Sequence, residues 1–373
     1  MSDITAQEPC VIFNEVPLRQ EGILLQVTLN APRSLNALSL PMIEQIQPRL
    51  EAAATDDRVR AILIQASGEK AFCAGGDVVA LCHAIRQGDQ TLPEQYFTAE
   101  YRLDYTLHTY PKPVICWGSG IVMGGGMGLM NGSSHRIVTE TSMLAMPEVT
   151  IGLYPDVGGS WFLNQMPGSI GLFLALTGSR LNASDTLLLG LADHYMDSQH
   201  LETLVHHLQQ ADWGNDPDHT VVSRVLGHLA RRPYPKLEDT SNVFRHLEII
   251  QRLMLNPDPQ TLIERLTDLA SEDAWLQRAL QSMRHGSPLA MHLIQQQLLR
   301  CRHLSLKEVF QQELVLSVQI CRQGDFAEGV RALLVDKDNK PQWRYPSLAE
   351  VPMAEVEGFF AAPWAQNPLA DLS

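Results

Sequence analysis

Residues 119–160 read SGIVMGGGMGLMNGSSHRIVTETSMLAMPEVTIGLYPDVGGS, with glycines at 124, 125 and 126 a short way ahead of two acids, Glu148 and Asp156. A glycine-rich turn that runs into a helix exposes backbone N–H groups with no side chain in front of them. It can therefore receive a developing negative oxygen or a phosphate. Two carboxylates beside it could supply a base and an acid. Each feature alone reads more simply as a structural turn or a solvated loop acid, but their combination points to chemistry.

A second junction of the same kind lies upstream in KAFCAGGDVVALCHAI, where a strand end meets Gly75 and Gly76 and then a helix. Asp77 is placed to cap that helix, and capping is the simplest account of it. Cys73 sits between Phe72 and Ala74 with no histidine adjacent, which suits a small core residue better than a thiol nucleophile. Two strand, glycine, helix junctions supply two N–H groups that could converge as an oxyanion hole. Glu100 stands among aromatics in an amphipathic run over 97–110, and by its residue type alone it reads as a solvated acid.

These residues need elements to hold them. ILLQVTLN after Gly22 predicts a buried strand, and Val59–Ala66 another with both faces covered. Between them, Met42, Ile43, Ile46 and Leu50 recur at helical spacing, with Pro48 predicting a kink or an early stop. Strand, helix, strand implies a largely parallel sheet, which a further strand over 114–117 extends. After Gly158 the pattern turns helical, with Ser184 and Asp185 as candidate caps. A Pro- and charge-rich passage at 214–239 divides the chain into two expected units, 1–213 carrying the chemistry and 214–373 helical. Helices are expected over 242–255, 260–270, 272–284, 288–300 and 306–322, their apolar stripes reading as packing. Asp336, Lys337 and Asp338 read as a solvated loop. The tail from Pro346, with Phe359, Phe360 and Trp364, either docks by its aromatics or stays loose.

Composition removes several function classes. A formal net charge of −14 opposes binding to nucleic acid or an anionic membrane. No apolar run is long enough to span a bilayer, and the polar start MSDITAQEPC lacks a signal-peptide pattern, so a cytoplasmic protein is expected. Six scattered cysteines without CxxC pairs predict reduced thiols, and the 13 histidines form no metal-binding spacing, so no metal is expected.

AFCAGGD at 71–77, GSGIVMGGGMGL at 118–129 and MPEVTIGLYPDVGGS at 146–160 together resemble the enoyl-CoA hydratase/isomerase (crotonase) superfamily, and within it the 3-hydroxyisobutyryl-CoA hydrolases. The resemblance is close over roughly 15–210, and GDFAEGVRALLVDKDNKPQW at 324–343 extends it. It implies an α/β fold, a crotonase-like spiral of ββα units followed by a helical C-terminal region. It also implies hydrolysis of a short 3-hydroxyacyl-CoA of the kind met in valine breakdown. Gly76 and Gly125 would be the oxyanion donors, Glu148 and Asp156 the catalytic pair, and Glu100 a substrate-binding residue. No cofactor is implied, since coenzyme A is part of the substrate; a homo-oligomer stays open. True hydratases carry a glutamate three residues beyond the second oxyanion glycine, and this chain has Gly128 there. That departure weighs against an enoyl-CoA hydratase or isomerase, and the two acids and both glycine turns weigh against a catalytically silent acyl-CoA-binding protein.

Overall fold

The computed structural model describes residues 9–230, 240–269 and 273–373. The first strands are β1 (Val11–Pro17), β2 (Ile23–Leu29), β3 (Val59–Ala66), β4 (Ala71–Cys73) and β5 (Val114–Gly118). They are followed by β6 (Ile121–Met123), β7 (His135–Val138), β8 (Met143–Ala145), β9 (Leu181–Asn182) and β10 (His194–Tyr195). Two sheets result, ordered β1-β2-β3-β5-β7-β10 and β4-β6-β8-β9. Apart from the antiparallel β1–β2 and β8–β9 pairs, every pairing is parallel. The chain repeatedly gives one strand to each sheet, β3 then β4, β5 then β6, β7 then β8. The helices α1 (Leu40–Thr55), α2 (Val78–Arg86), α3 (Thr91–His108) and α4 (Gly125–Gly132) make the crossings that parallel strands require. This is the expected spiral of ββα turns.

Period-two alternation assigns the two faces of the larger sheet. Ala61, Leu63, Ile115 and Trp117 point to one cluster, while Ile62, Ile64, Val114 and Cys116 point to the other. The first face is covered by α5 (Leu201–Gln210) and α6 (Asp218–Leu229) through Leu204, Leu208, Val222 and Leu226. The second belongs to a core that runs from Val11 to Leu372 and takes in the C-terminal helices.

Helix α1 continues past Pro48 to Thr55, so the early stop does not occur. A proline inside a helix costs ~3 kcal/mol. Met42, Ile43, Ile46, Leu50 and Ala53 are all buried on one face, and each large apolar side chain returns about 1.5–3 kcal/mol, so tertiary packing wins. Asp77 caps α2 by accepting from the Ala80 N–H. At the short helix Ala183–Leu188 the cap is Asn182, with Asp185 completing a capping box and Ser184 inside the helix, so the cap lies two residues before the expected Ser184.

The C-terminal half supplies α7 (Asn242–Leu253), α8 (Pro259–Leu269), α9 (Ala274–His285), α10 (Pro288–Cys301), α11 (Leu306–Gln323) and α12 (Phe326–Val330). Residues 231–239 of the expected passage, and the ends of two expected helices at Ala270 and Glu272, lie outside the described residues. Asp336 and Asp338 are more than a solvated loop: both pair with Arg331, at 2.7 and 2.8 Å. The tail docks, with Phe359, Leu369 and Leu372 buried and Asp371 held by Arg102 at 2.8 Å.

Candidate active site

The glycine turns meet. After β4, Gly75 takes φ 125°, a value open to glycine, and Gly76 is fixed by its flanks: Leu38 N–H donates to Gly75 O at 2.8 Å and Asp77 N–H to Leu38 O at 2.9 Å. After β6, Gly124 turns the chain with φ 46° and ψ −120°, so that α4 begins at Gly125. A Cβ on Gly125 would lie 3.4 Å from Gly76 N, so the two backbones are in contact distance. Among the described residues, neither the Gly76 nor the Gly125 amide has an acceptor. One of them also heads a helix, where the dipole favours negative charge.

Three acids face this turn. Glu148 opens a 3₁₀ turn, Glu148–Ile151, Asp156 follows it, and Glu100 projects from α3. They are 4 %, 4 % and 2 % exposed, and all line one cavity of about 500 Å³ together with Gly76 and Gly125. Glu148 Oε1 stands 3.2 Å from where a Gly124 Cβ would be, and Glu100 Oε1 2.6 Å from a Gly125 Cβ. The solvated reading of Glu100 is therefore overturned. The face of α3 that carries Tyr96, Phe97 and Leu103 into the core carries Glu100 with it, and the Tyr96 hydroxyl lies 3.1 Å from its Oε1. Cys73 is fully buried and its thiol is pushed up to about 12, as befits a core residue.

Burial, reinforced by the Asp156 charge, pushes Glu148 and Glu100 well above the usual carboxylate range. Asp156 is raised less, to about 6, because the Tyr101 hydroxyl donates to its Oδ2 at 2.7 Å against the burial effect. Burial therefore favours the neutral form of Glu148 more than that of Asp156.

Several site residues carry no motif and escape a reading by sequence. Tyr101 Oη also meets Ser317 Oγ at 2.6 Å, Ser317 Oγ meets Tyr154 Oη at 2.9 Å, and the Tyr154 hydroxyl donates to Glu313 O at 2.8 Å. The Glu313 carboxylate accepts from the N–H groups of Gly158 and Ser160, fixing the loop behind Asp156; burial nevertheless pushes it up to about 8. Asp104, one turn beyond Glu100, is fully buried and neither of its oxygens has a partner among the described residues. A Cβ on Gly128 would lie 2.7 and 2.8 Å from those oxygens, so the space beside Gly128 belongs to Asp104. A signal was available for Glu313 and Ser317: two polar residues at i, i+4 inside the apolar run of α11.

The cavity wall passes outward to Trp275, Leu333, Leu334 and the exposed guanidinium groups of Arg180 and Arg278. Among the described residues no helix is long and apolar enough to cross a membrane.

Comparison with known proteins agrees with this arrangement. A family model described as enoyl-CoA hydratase/isomerase matches residues 24–360. The chain is 38 % identical over 355 residues to a protein named 3-hydroxyisobutyryl-CoA hydrolase, mitochondrial, from Gallus gallus, covering 95 % of this chain and 90 % of that protein. It is 35 % identical to 3-hydroxyisobutyryl-CoA hydrolase 1 of Arabidopsis thaliana, covering 93 % and 91 %. Among solved structures, an enoyl-CoA hydratase from Rhodobacter sphaeroides 2.4.1 superposes with a TM-score of 0.82 at 31 % identity, over 95 % of this chain and 98 % of that one. With a family match spanning most of its length and a spiral of ββα turns to go with it, the chain belongs to the enoyl-CoA hydratase/isomerase family.

Proposed function

We propose that this protein hydrolyses a short 3-hydroxyacyl-CoA thioester, of the 3-hydroxyisobutyryl-CoA type, to the free acid and coenzyme A. The observation that carries the reading is the meeting of two unengaged amides, Gly76 and Gly125, with two buried carboxyls, Glu148 and Asp156, in one cavity. The relatives named for this activity over nearly the whole chain support the choice of substrate. In this reading the thioester oxygen lies between the two amides, which stabilise the charge it gains as the tetrahedral state forms. Glu148 attacks the carbonyl carbon, expelling the thiolate and leaving an anhydride that water then opens to the free acid, or it takes the proton from a water that attacks the carbonyl carbon directly. To do either it must first give up its own proton, and Asp156, poised near neutrality, accepts that proton and returns it to the departing sulfur. Glu100 lies against the Gly125 turn and contacts the acyl part. Arg180 and Arg278 suit the coenzyme's phosphates, so that remote binding energy positions the acyl group.

The reaction in this account needs neither metal nor nucleotide, and its setting is cytoplasmic, in line with six free cysteines, five of them buried. The test is thiol release over a panel of short acyl-CoAs in the presence of chelator. Release from 3-hydroxyisobutyryl-CoA is expected, with 3-hydroxypropionyl-CoA as a second substrate. Abolition by chelator would remove the metal-free mechanism. A second reading, hydration of an enoyl-CoA, is favoured by the name of the superposed Rhodobacter structure. Loss of conjugated-thioester absorbance from an enoyl-CoA, without thiol release, would select it. Against it stands the space beside Gly128, which Asp104 already fills.

A further inference from the structure

Asp156 must be held in two charge states if it takes up and returns a proton during turnover, and the described residues around it offer a hydroxyl chain to do so. Asp156 Oδ2, Tyr101 Oη, Ser317 Oγ, Tyr154 Oη and the Glu313 main-chain oxygen follow one another at 2.7, 2.6, 2.9 and 2.8 Å. Tyr101, Tyr154 and Ser317 are at most 1 % exposed, so no bulk solvent competes for these bonds. We propose that Tyr101, Ser317 and Tyr154 form a reversible hydroxyl relay, anchored on α11 of the C-terminal region, that holds Asp156 both ionised and protonated by reversing the direction of its hydrogen bonds. This rests on the proton-accepting role given to Asp156 above.

The donor count differs by one between the states. With Asp156 ionised, Tyr101 donates to the carboxylate, Ser317 donates to Tyr101, and Tyr154 donates to the Glu313 carbonyl, which leaves the Ser317–Tyr154 contact without a proton. With a proton on Asp156 Oδ2, the acid donates to Tyr101, Tyr101 to Ser317, Ser317 to Tyr154, and Tyr154 to the carbonyl, which accepts in every case. Each hydroxyl rotates about its C–O bond, and no proton leaves the chain. The carbonyl end makes the relay directional, because a main-chain oxygen can never donate. A chain of this kind polarises along its length, so a residue two bonds from Asp156 acts on it. Ser317 and Tyr154 are thus positioning residues for Asp156, acting through Tyr101.

Other ionisable groups face Asp156 from each element packed on it: Tyr96, Glu100 and Asp104 from α3, Glu148 on its own loop, and Glu313 and Cys321 from α11. The Asp156 charge raises each of them, and among the described residues none is hydrogen-bonded to its carboxylate, so none stands in for the Tyr101 donor.

The experiment is a direct titration of Asp156 by ¹³C-carboxyl NMR in the full chain, for wild type, Tyr101→Phe and Ser317→Ala, with thiol-release pH profiles alongside. Tyr101→Phe removes the charge-assisted donor, so Asp156 should titrate higher by about one pH unit. Ser317→Ala removes one bond of the ionised state and two of the protonated state, so it should shift the titration the other way, downward, and by less. Where turnover is measurable, kcat should fall at neutral pH with KM little changed, and the acid limb of the profile should move with the NMR titration. Tyr154→Phe, which leaves Asp156 and Tyr101 intact, should also slow turnover without moving KM. An unmoved Asp156 titration in both Tyr101→Phe and Ser317→Ala, in variants that melt as folded proteins, would overturn the relay. That readout needs no substrate, so it stands even if no acyl-CoA proves to be hydrolysed.

Discussion

The chemistry proposed for Gly125 and Gly76 depends on bare backbone. A side chain at Gly125 would meet Glu100 Oε1 at 2.6 Å and crowd the Gly76 amide, while one at Gly76 would meet the Tyr96 hydroxyl at 2.4 Å, short of any ordinary contact. Gly125→Val should therefore lower turnover by ~10²–10³, the usual loss of an oxyanion donor, in a protein that still folds. Normal thiol release by that variant would take Gly125 out of the site. Asp156 is asked to move a proton and not to recognise the acyl group. Asp156→Asn should then slow isobutyryl-CoA and its 3-hydroxy counterpart alike in steady-state kinetics. A loss confined to the hydroxylated substrate would instead make Asp156 a hydroxyl reader, because a site built around a hydroxyl discriminates through the polar group left unpaired.

At the scale of elements, α3 and α11 carry a buried set of acids, and this has a consequence for stability. Glu100 and Asp104 on α3 are held well above the carboxylate range by burial, and Glu313 on α11 is raised to about 8. An acid whose folded pKa is raised stabilises the fold fully below its unfolded value, and that contribution is lost as pH rises through the folded value. The contribution of these three acids should therefore fall from about pH 4 upward, against that of His108 and His135, which burial lowers to about 4 and which favour the fold as pH rises to their unfolded value. Asp104→Asn, which cannot ionise, should melt higher than wild type at pH 8 and close to it at pH 4. Equal melting of the two proteins across that range would mean that Asp104 ionises in the fold as freely as in the unfolded chain. The same elements show what a reader of the sequence can see. Glycine turns and their acids announce themselves because backbone exposure and loop position are local properties of the chain, and strands such as β3 are legible from their apolar run. Tyr101, Glu313 and Ser317 are harder to see, since their partners lie across tertiary contacts, 55 residues away for Tyr101 and Asp156 and more than 150 for Ser317 with Tyr101 and Glu313 with Gly158. Within α11, the i, i+4 spacing of Glu313 and Ser317 marks them inside a stripe that otherwise reads as packing but does not name their partners, and the Asn182 cap and the helical course through Pro48 are likewise decided by neighbours and not by the local residues.

Across the whole molecule, the C-terminal half holds the turn that presents Glu148. Ser287 N–H donates to Val149 O at 3.1 Å, a Cβ on Gly329 would lie 2.4 Å from the Ile151 backbone, and Asp325 packs on Gly152 while accepting from Ser287 Oγ at 2.6 Å. Truncation after Ala230 would strip these contacts and expose the apolar surface beneath them, so the shortened chain should be insoluble or inactive. A soluble truncation with full thiol release would show that the helices only cover the site. The central claim, that a buried carboxyl makes or breaks the thioester bond beside two backbone amides, is tested most directly by thiol release from 3-hydroxyisobutyryl-CoA with Glu148→Ala. The account predicts a fall in kcat of about 10²-fold or more with KM within a few-fold of wild type, because the coenzyme carries most of the affinity. Turnover close to wild type in that variant would contradict it.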